Sequence, residues 1–82
     1  MRILVIEDDS ETREYLNRGL SEAGHVVDTA DNGNNGVSLA CDPKYDVMVI
    51  DRMLPGCDGL AVIQAVRDAG LSTPVLILSA LG

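Results

Sequence analysis

Residues 46–60, DVMVIDRMLPGCDGL, lead from an apolar segment through a carboxylate into a loop. Four apolar residues, 47–50, come before Asp51, and the loop after it contains Pro55 and Gly56. A short apolar run bounded by turn residues is typical of a buried strand. An ionised side chain at the end of such a strand is costly unless a partner compensates for its burial. We therefore expect Asp51 to follow a central strand and to have a chemical role.

Three more segments are predicted to be strands, and three segments between them to be helices. Ile3–Ile6 and Val75–Leu78 are apolar quartets that suit covered parallel strands, and Val26–Ala30 is mixed, as in an edge strand. Helical spacing or flanking signals place helices at Ser10–Ala23, about Asn34–Cys41, and Gly59–Ala69. Gly24 and Gly70 stand where a helix C-terminal glycine belongs, and Asp58 can cap the third helix.

The resulting order, β-α-β-α-β-α-β, predicts one α/β domain. Alternation of strands and helices implies a parallel sheet with right-handed crossovers. Among doubly wound sheets the flavodoxin-like order is common, which gives 2-1-3-4 for four strands. Ligands of such sheets bind beyond the carboxyl ends of the strands, where the winding reverses.

Composition excludes several classes of function. The 82 residues carry 13 Asp and Glu against 6 Lys and Arg, a formal net charge of −7, which disfavours binding to nucleic acid. No apolar run exceeds four residues, so neither a membrane helix nor a signal peptide is predicted, and we expect a cytoplasmic protein. Cys41 and Cys57 flank the third strand, too far apart for a disulfide, and are expected to be free thiols. Tyr15 and Tyr45 are expected on amphipathic surfaces.

Acidic side chains gather at the predicted carboxyl edge of the sheet. Glu7, Asp8 and Asp9 follow the first strand, Asp51 the third, and Ser79 the fourth. Carboxylates brought together repel one another, and a hard divalent cation removes that conflict. Because Mg²⁺ prefers oxygen ligands and a carboxylate can itself accept a phosphoryl group, the pattern suggests a magnesium-assisted phosphoryl site.

Three motifs together resemble the receiver domain of bacterial two-component response regulators. They are ILVIEDD at 3–9, DVMVIDRMLPGCDGL at 46–60 and PVLILSA at 74–80. The resemblance spans the chain. The stretch MLPGCDGL at 53–60 is similar to that of receivers that carry a winged-helix DNA-binding domain. It implies a phosphoprotein of signal transduction and transcription regulation rather than an enzyme.

The resemblance also implies roles for individual residues. Asp51 matches the phosphoacceptor, which takes its phosphoryl group from a sensor histidine kinase. Asp8 matches a direct Mg²⁺ ligand, Glu7 a carboxylate acting through water, and Met53 the position whose backbone carbonyl binds the metal. Ser79 matches the hydroxyl that bonds the phosphoryl group and moves on activation.

The sequence also departs from the family. A receiver has a fifth strand, a last helix and a lysine after that fifth strand, and residues 1–82 contain none of these, so we expect an incomplete receiver domain. Lys44, the one lysine, precedes the third strand and is expected at the opposite end of the sheet. An open fourth strand and an uncovered sheet face lead us to expect a homo-oligomer, most simply a dimer.

Two alternatives to signalling remain open. The chain could be a self-associating fragment that no longer takes phosphate. It could also be a magnesium-dependent phosphatase or phosphotransferase of the haloacid-dehalogenase type, which uses a strand-end aspartate. That type needs a second aspartate two residues after the nucleophile, and position 53 is Met.

Overall fold

The computed structural model describes residues 1–78 and contains four strands and three helices over that range. In chain order they are β1 (Arg2–Ile6), α1 (Ser10–Glu22), β2 (Val26–Ala30), α2 (Gly33–Ala40), β3 (Val47–Asp51), α3 (Gly59–Asp68) and β4 (Val75–Leu78). The strands form one parallel sheet in the order β2-β1-β3-β4. The predicted flavodoxin-like doubly wound fold is therefore confirmed, and each predicted element is present within two residues of its expected bounds.

The strand register brings the carboxyl ends of β1, β2 and β3 to one edge. Ile6 is paired with Ala30 on one side and with Ile50 on the other. The Glu7 N–H donates to the Ala30 carbonyl at 3.0 Å, so the chain remains attached to β2 as it leaves the sheet. Glu7 and Asp51, each one residue beyond a member of the Ile6–Ile50 pair, are thus placed side by side.

Helices cover the sheet on two faces with separate apolar cores. Against α2 and α3, the core consists of Leu4, Ile6, Ala30, Ala40, Tyr45, Met48, Ile50, Val62 and Val66. Against α1, it consists of Ile3, Val5 and Val49, with half-buried Leu16 and Leu20 packed on them. Alternate residues of β1 therefore point to opposite faces, as expected for a strand buried on both sides.

The helix ends follow the predicted signals. Asp58 caps α3 by accepting from the Leu60 N–H at 2.8 Å, and Asp9 caps α1 by accepting from the Thr12 N–H at 3.0 Å. Gly24 and Gly70 have φ of +95° and +83°, conformations that glycine adopts without strain, and each lies just after a helix. Within residues 1–78, none of these helices has the length and apolarity needed to cross a bilayer.

Helix α2 forms although its first residues favour helix weakly. A Cβ at Gly36 would lie 2.7 Å from Cδ1 of Ile6, so the absence of a side chain lets the helix pack closely on β1. Asn32 supplies the cap by accepting from the Asn35 N–H at 2.8 Å. Packing and capping thus outweigh the intrinsic cost of glycine, about 1 kcal/mol relative to alanine.

Tyr45 corrects one expectation, whereas the cysteines, Tyr15 and Lys44 agree with theirs. Tyr45 is 5% exposed and belongs to the core, because its hydroxyl donates to Asp28 Oδ2 at 2.7 Å and so is satisfied inside. Tyr15 is 76% exposed, as expected. Cys41 and Cys57 are free thiols. Lys44 lies before β3, with Nζ 3.9 Å from carboxylates of Asp28 and Asp42, away from the acidic edge.

Candidate metal centre

Three carboxylates meet at the carboxyl edge of the sheet. Glu7, Asp8 and Asp51 each contribute one oxygen, and these three oxygens lie within 4.8 Å of one another. Glu7 is buried, Asp51 is half-buried and Asp8 is exposed, so the cluster opens to solvent on the Asp8 side. The predicted convergence of Glu7, Asp8 and Asp51 is therefore present in the fold.

Asp9, which follows the acidic pair, has a different function. Its carboxylate accepts from the Thr12 N–H at 3.0 Å and from the Thr12 hydroxyl at 2.6 Å. These hydrogen bonds lower the pKa of Asp9, and the nearby Arg13 charge acts in the same direction. Asp9 is thus the N-terminal cap of α1 and is not one of the three clustered carboxylates.

The backbone of the β3–α3 loop fixes the Asp51 carboxylate. The Met53 N–H donates to Asp51 Oδ1 at 3.1 Å, which places the backbone of Met53 beside the carboxylate while its side chain is 75% exposed. The Arg52 carbonyl accepts from the Gly59 N–H at 2.9 Å. A Cβ at Gly59 would contact the Asp51 carbonyl oxygen, so glycine is needed where the loop turns into α3.

Helix α2 supports the same loop from the other side. The Gly33 N–H donates to the Pro55 carbonyl at 3.0 Å. A Cβ on Gly33 would lie 2.7 Å from the Cys57 sulfur and 2.8 Å from the Cys57 carbonyl. No sequence pattern signals this contact, because it joins residues that are 24 positions apart.

The electrostatics of the cluster show that its charges conflict. Burial raises the pKa of Glu7, and the hydrogen bond and charge of Asp51 and the charge of Asp8 raise it further, to about 7. Burial also raises the pKa of Asp51, but hydrogen bonds from the Glu7 carboxyl group and from the Met53 N–H outweigh it and lower the pKa overall. The raised pKa of Glu7 and the lowered pKa of Asp51 favour the proton on Glu7 and the negative charge on Asp51.

The donor set fits a hard divalent cation. Every side-chain donor in the cluster is a carboxylate oxygen, and Mg²⁺ is typically held by one or two carboxylates together with water and phosphate oxygens. A cation between Asp8 and Asp51 would remove the charge conflict that otherwise keeps a proton on Glu7. An open concavity of about 490 Å³ adjoins the cluster, and its wall includes Asp8 and residues 52–58. Ser79 lies outside the described residues, so its predicted place at this site stays a prediction.

One contact of the acidic loop could not be predicted from the sequence. Arg13 of α1 reaches back over the β1–α1 loop, and its Nη1 donates to the carbonyl oxygen of Glu7 at 3.0 Å and to that of Asp8 at 3.3 Å. A polar residue in the first turns of an amphipathic helix gives no signal of such a contact. The only available hint was that the carbonyls between a strand and a helix need donors.

Comparison with known proteins identifies the family. Residues 3–82 match the family model of the response regulator receiver domain. The chain belongs to this family. The resemblance seen in the sequence is therefore confirmed, and with it the assignment of the fold to the response regulators of two-component systems.

Curated relatives of this receiver are transcriptional regulators. The probable transcriptional regulatory protein SilR of Salmonella typhimurium is 52% identical over 82 residues, and the transcriptional regulatory protein CusR of Escherichia coli K12 is 48% identical. Both matches cover 100% of this chain and 36% of the relative, so the chain spans about a third of their length. These relatives are regulators of transcription rather than typical enzymes.

Solved receiver structures share the fold closely. The receiver domain of the Francisella response regulator 1452 is 35% identical, with a TM-score of 0.90 over 98% of this chain and 66% of that one. TrrA of Thermotoga maritima, solved in complex with Mg²⁺-BeF, is 33% identical, with a TM-score of 0.89 over 99% of this chain and 70% of that one. The arrangement of strands and helices is thus that of a receiver.

Proposed function

We propose that this chain is the phosphoacceptor module of a two-component signalling system and receives a phosphoryl group on Asp51 from a sensor histidine kinase. The observation that carries the proposal is the convergence of Glu7, Asp8 and Asp51 within 4.8 Å at the carboxyl edge of a receiver sheet. Asp51 suits the acceptor role because its lowered pKa keeps it the ionised member of its pair with Glu7, and an ionised carboxylate can act as a nucleophile.

In the proposed reaction the Asp51 carboxylate attacks phosphorus. An O–P bond forms while the N–P bond of the phosphohistidine breaks, and the histidine nitrogen takes up a proton. Asp8, Asp51 and the Met53 backbone carbonyl would hold Mg²⁺ directly, and Glu7 would act on it through water. Such a cation would supply charge neutralisation for the transfer. In this proposal the Ser79 hydroxyl would donate a hydrogen bond to the transferred phosphoryl group.

A small phosphodonor tests the proposal. The chain is incubated with acetyl phosphate and Mg²⁺, and its intact mass is measured. We expect the mass of one phosphoryl group to be added. No mass should be added when EDTA is present or when the chain carries Asp51→Asn. Asp68→Asn, an exposed aspartate hydrogen-bonded to Gln64 on α3, is the control and should be labelled normally. Labelling that survives Asp51→Asn, or none in the unsubstituted chain, contradicts the proposal.

The kinase as donor requires chemistry at a phosphorus–nitrogen bond. Phosphoimidazole presents that bond without a protein surface, so labelling by it should proceed at the same Asp51 and with the same Mg²⁺ requirement. A chain that accepts phosphate from acetyl phosphate but never from phosphoimidazole would argue against a histidine kinase. Such transfer would take place in the cytoplasm, where we expect the protein.

A phosphatase of the haloacid-dehalogenase type is disfavoured by the site. Such an enzyme would need a carboxylate two residues after Asp51, and the exposed Met53 side chain occupies that position. We expect no turnover of phosphomonoesters beyond the single acceptor event. Release of several phosphates per chain from p-nitrophenyl phosphate would reverse this assignment.

Self-association is a second candidate property, favoured by the surface of β4. Leu76 is 62% exposed and Ile77 is 45% exposed although both lie within an apolar strand, and among residues 1–78 this strand pairs only with β3. Exposed apolar strand edges invite pairing with another chain. We propose a homo-oligomer through this edge and no role in binding DNA, given the net charge of −7.

Sedimentation velocity at micromolar concentration tests self-association. We expect a dimer or larger species for the unsubstituted chain and a shift to monomer for Leu76→Lys. Tyr15→Lys removes a still more exposed side chain, that of Tyr15 on α1, and should leave the distribution unchanged. A folded monomer in the unsubstituted chain would contradict the proposed oligomer but not the phosphoacceptor role.

A further inference from the structure

Arg13 connects α1 to the backbone that carries two of the three carboxylates. Its Nη1 donates to the carbonyl oxygens of Glu7 and Asp8 at 3.0 and 3.3 Å. The side chain is half-buried rather than extended into solvent. Arg18, one turn and a half further along the same helix, is exposed and pairs with Glu14 at 3.1 Å. The two arginines therefore share a helix and a charge, but only Arg13 contacts the acidic loop.

The hydrogen bonds of this loop explain why the contact matters. The Glu7 N–H is bound by the Ala30 carbonyl at 3.0 Å, and the Asp8 N–H by Glu7 Oε2 at 3.1 Å. The carbonyls of the same two residues lie between a strand and a helix, where neither ladder supplies a regular donor. The Arg13 guanidinium supplies it, and one nitrogen bonded to two successive carbonyls restricts rotation of the two peptide planes on either side of the Asp8 Cα.

Rotation of these two peptide planes would move the Asp8 side chain. Asp8 is exposed and its carboxylate must point across the edge of the sheet toward Asp51, which belongs to another strand. Loss of a group that holds a metal ligand in place commonly lowers the affinity for the metal by about 10–100-fold. The positive charge of Arg13 also lies on the backbone side of the loop, so it stabilises the acidic segment without occupying the cation site.

We infer that Arg13 is a positioning residue, whose hydrogen bonds to the Glu7 and Asp8 carbonyls hold the Asp8 carboxylate at the distance from Asp51 that a divalent cation requires. This inference rests on the proposed function, because it concerns the affinity of the same site for Mg²⁺. It assigns to α1 a part in the geometry of the site, in addition to its cover of the sheet.

Titration calorimetry of Mg²⁺ binding tests the inference directly. Arg13→Met keeps the aliphatic part of the side chain and removes the donors, and we expect the Kd for Mg²⁺ to rise about 10-fold. Arg13→Lys retains a charged nitrogen and should recover most of that loss, since Nη1 alone makes both contacts. Arg18→Met is the matched control and should bind Mg²⁺ like the unsubstituted chain.

Labelling kinetics and urea unfolding separate positioning from a purely structural role. For Arg13→Met, we expect the Mg²⁺ concentration that half-saturates labelling by acetyl phosphate to rise with the Kd, while the rate at saturating Mg²⁺ changes little. A residue that only stabilised the fold would shift the urea midpoint and leave the Kd of the folded chain unchanged. If Arg13→Met does not fold, Arg13→Ala takes its place in the same measurements, and a Kd for Mg²⁺ equal to that of the unsubstituted chain would overturn the inference.

The possible failures can be told apart. Unchanged Mg²⁺ affinity in a folded Arg13→Met, or no recovery in Arg13→Lys, overturns the inference alone. Mg²⁺ binding by the unsubstituted chain without phosphorylation overturns the proposed function alone and leaves the role of Arg13 standing. An unsubstituted chain that binds no Mg²⁺ overturns both.

Discussion

The two faces of the sheet differ in how tightly their helices pack. On the face covered by α2 and α3, six large side chains have no exposed surface: Leu4, Ile6, Met48, Ile50, Val62 and Val66. On the other face α1 contributes no fully buried residue, and its Leu16 and Leu20 are only half-buried. Leu76 of β4, which is paired with Val49 of the core on the α1 side, is also exposed.

This difference extends to the two halves of the site. The Asp51 loop leads into α3 and contacts Gly33 of α2. It therefore lies on the face covered by α2 and α3, which we call the tight face; the face covered by α1 is the loose face. The Asp8 loop leads into α1, which rests on the loose face. Hydrogen bonds from Arg13 therefore supply for Asp8 what close packing supplies for Asp51. The geometry of a cation site made by both loops therefore depends on close packing around the Asp51 loop and on hydrogen bonds from Arg13 to the Asp8 loop.

The largest expected effect comes from equal truncations on the two faces. Leu4→Ala removes a fully buried side chain from the tight face, and such changes cost about 2–5 kcal/mol of the free energy of unfolding. Leu16→Ala removes the same atoms from half-buried α1 and should cost about 1–2 kcal/mol, in proportion to the smaller burial. Urea unfolding followed by circular dichroism measures both. Equal losses would show that the two faces are equally well packed.

Much of the fold could be predicted from the sequence because the decisive patterns are local. Apolar quartets, a glycine after α1 and an aspartate before α3 mark the elements without any knowledge of what they contact. Convergence of Glu7, Asp8 and Asp51 followed from topology, since parallel strands end at one edge. The sequence could not place Tyr45, because its burial depends on a hydrogen bond to Asp28 on another strand.

Two supports of the site were also beyond sequence reasoning. The close approach of Gly33 to Cys57 and the contact of Arg13 with the loop carbonyls both join residues that carry no shared pattern. Glycine and arginine have many roles in helices, so neither residue type points to its partner. Only the packing of the folded chain shows these contacts.

Two glycine substitutions sharpen the comparison of faces. In Gly59→Ala the new methyl group would meet the Asp51 carbonyl and lie 3.0 Å from the Cα of Arg52, so backbone must move, at a cost of about 1–3 kcal/mol. In Gly19→Ala nothing lies within 4 Å, and helix propensity should add up to about 1 kcal/mol of stability to α1. Thermal unfolding should therefore give shifts of opposite sign. A stabilising Gly59→Ala would mean that the Asp51 loop is not held tightly.

The pH dependence of the free energy of unfolding reports on Glu7, at the carboxyl edge of the sheet. Glu7 is 7% exposed and its pKa is raised from 4.5 to about 7, so the folded chain binds its proton more tightly than the unfolded chain. The stability that this proton provides is complete below about pH 4.5 and is lost as the pH rises to about 7. Asp51, whose pKa is lowered, contributes in the opposite sense, and its contribution is lost as the pH falls below 3.8.

Glu7→Gln isolates this effect. In EDTA the unsubstituted chain should lose on the order of 1–2 kcal/mol of unfolding free energy between about pH 5 and 8, and Glu7→Gln should lose much less. Addition of Mg²⁺ at the higher pH should restore stability to the unsubstituted chain, because the cation takes the place of the proton. Urea midpoints measured across this range check both statements. A pH profile that Glu7→Gln leaves unchanged would contradict a raised pKa.

The smallest expected effect compares the two tyrosines, one on each face. Tyr45→Phe removes a hydroxyl that donates to Asp28 Oδ2 at 2.7 Å inside the tight face, which should cost about 0.5–1.5 kcal/mol. Tyr15→Phe changes an exposed ring on α1 and should alter the unfolding free energy by less than about 0.5 kcal/mol. In a double-mutant cycle with Asp28→Asn, Tyr45→Phe should show a coupling energy that Tyr15→Phe lacks. Since Asp28 Oδ2 also lies 3.6 Å from Arg2 Nη2 and 3.9 Å from Lys44 Nζ, a coupling of zero for Tyr45 would mean that these cations, rather than the phenol, satisfy this carboxylate.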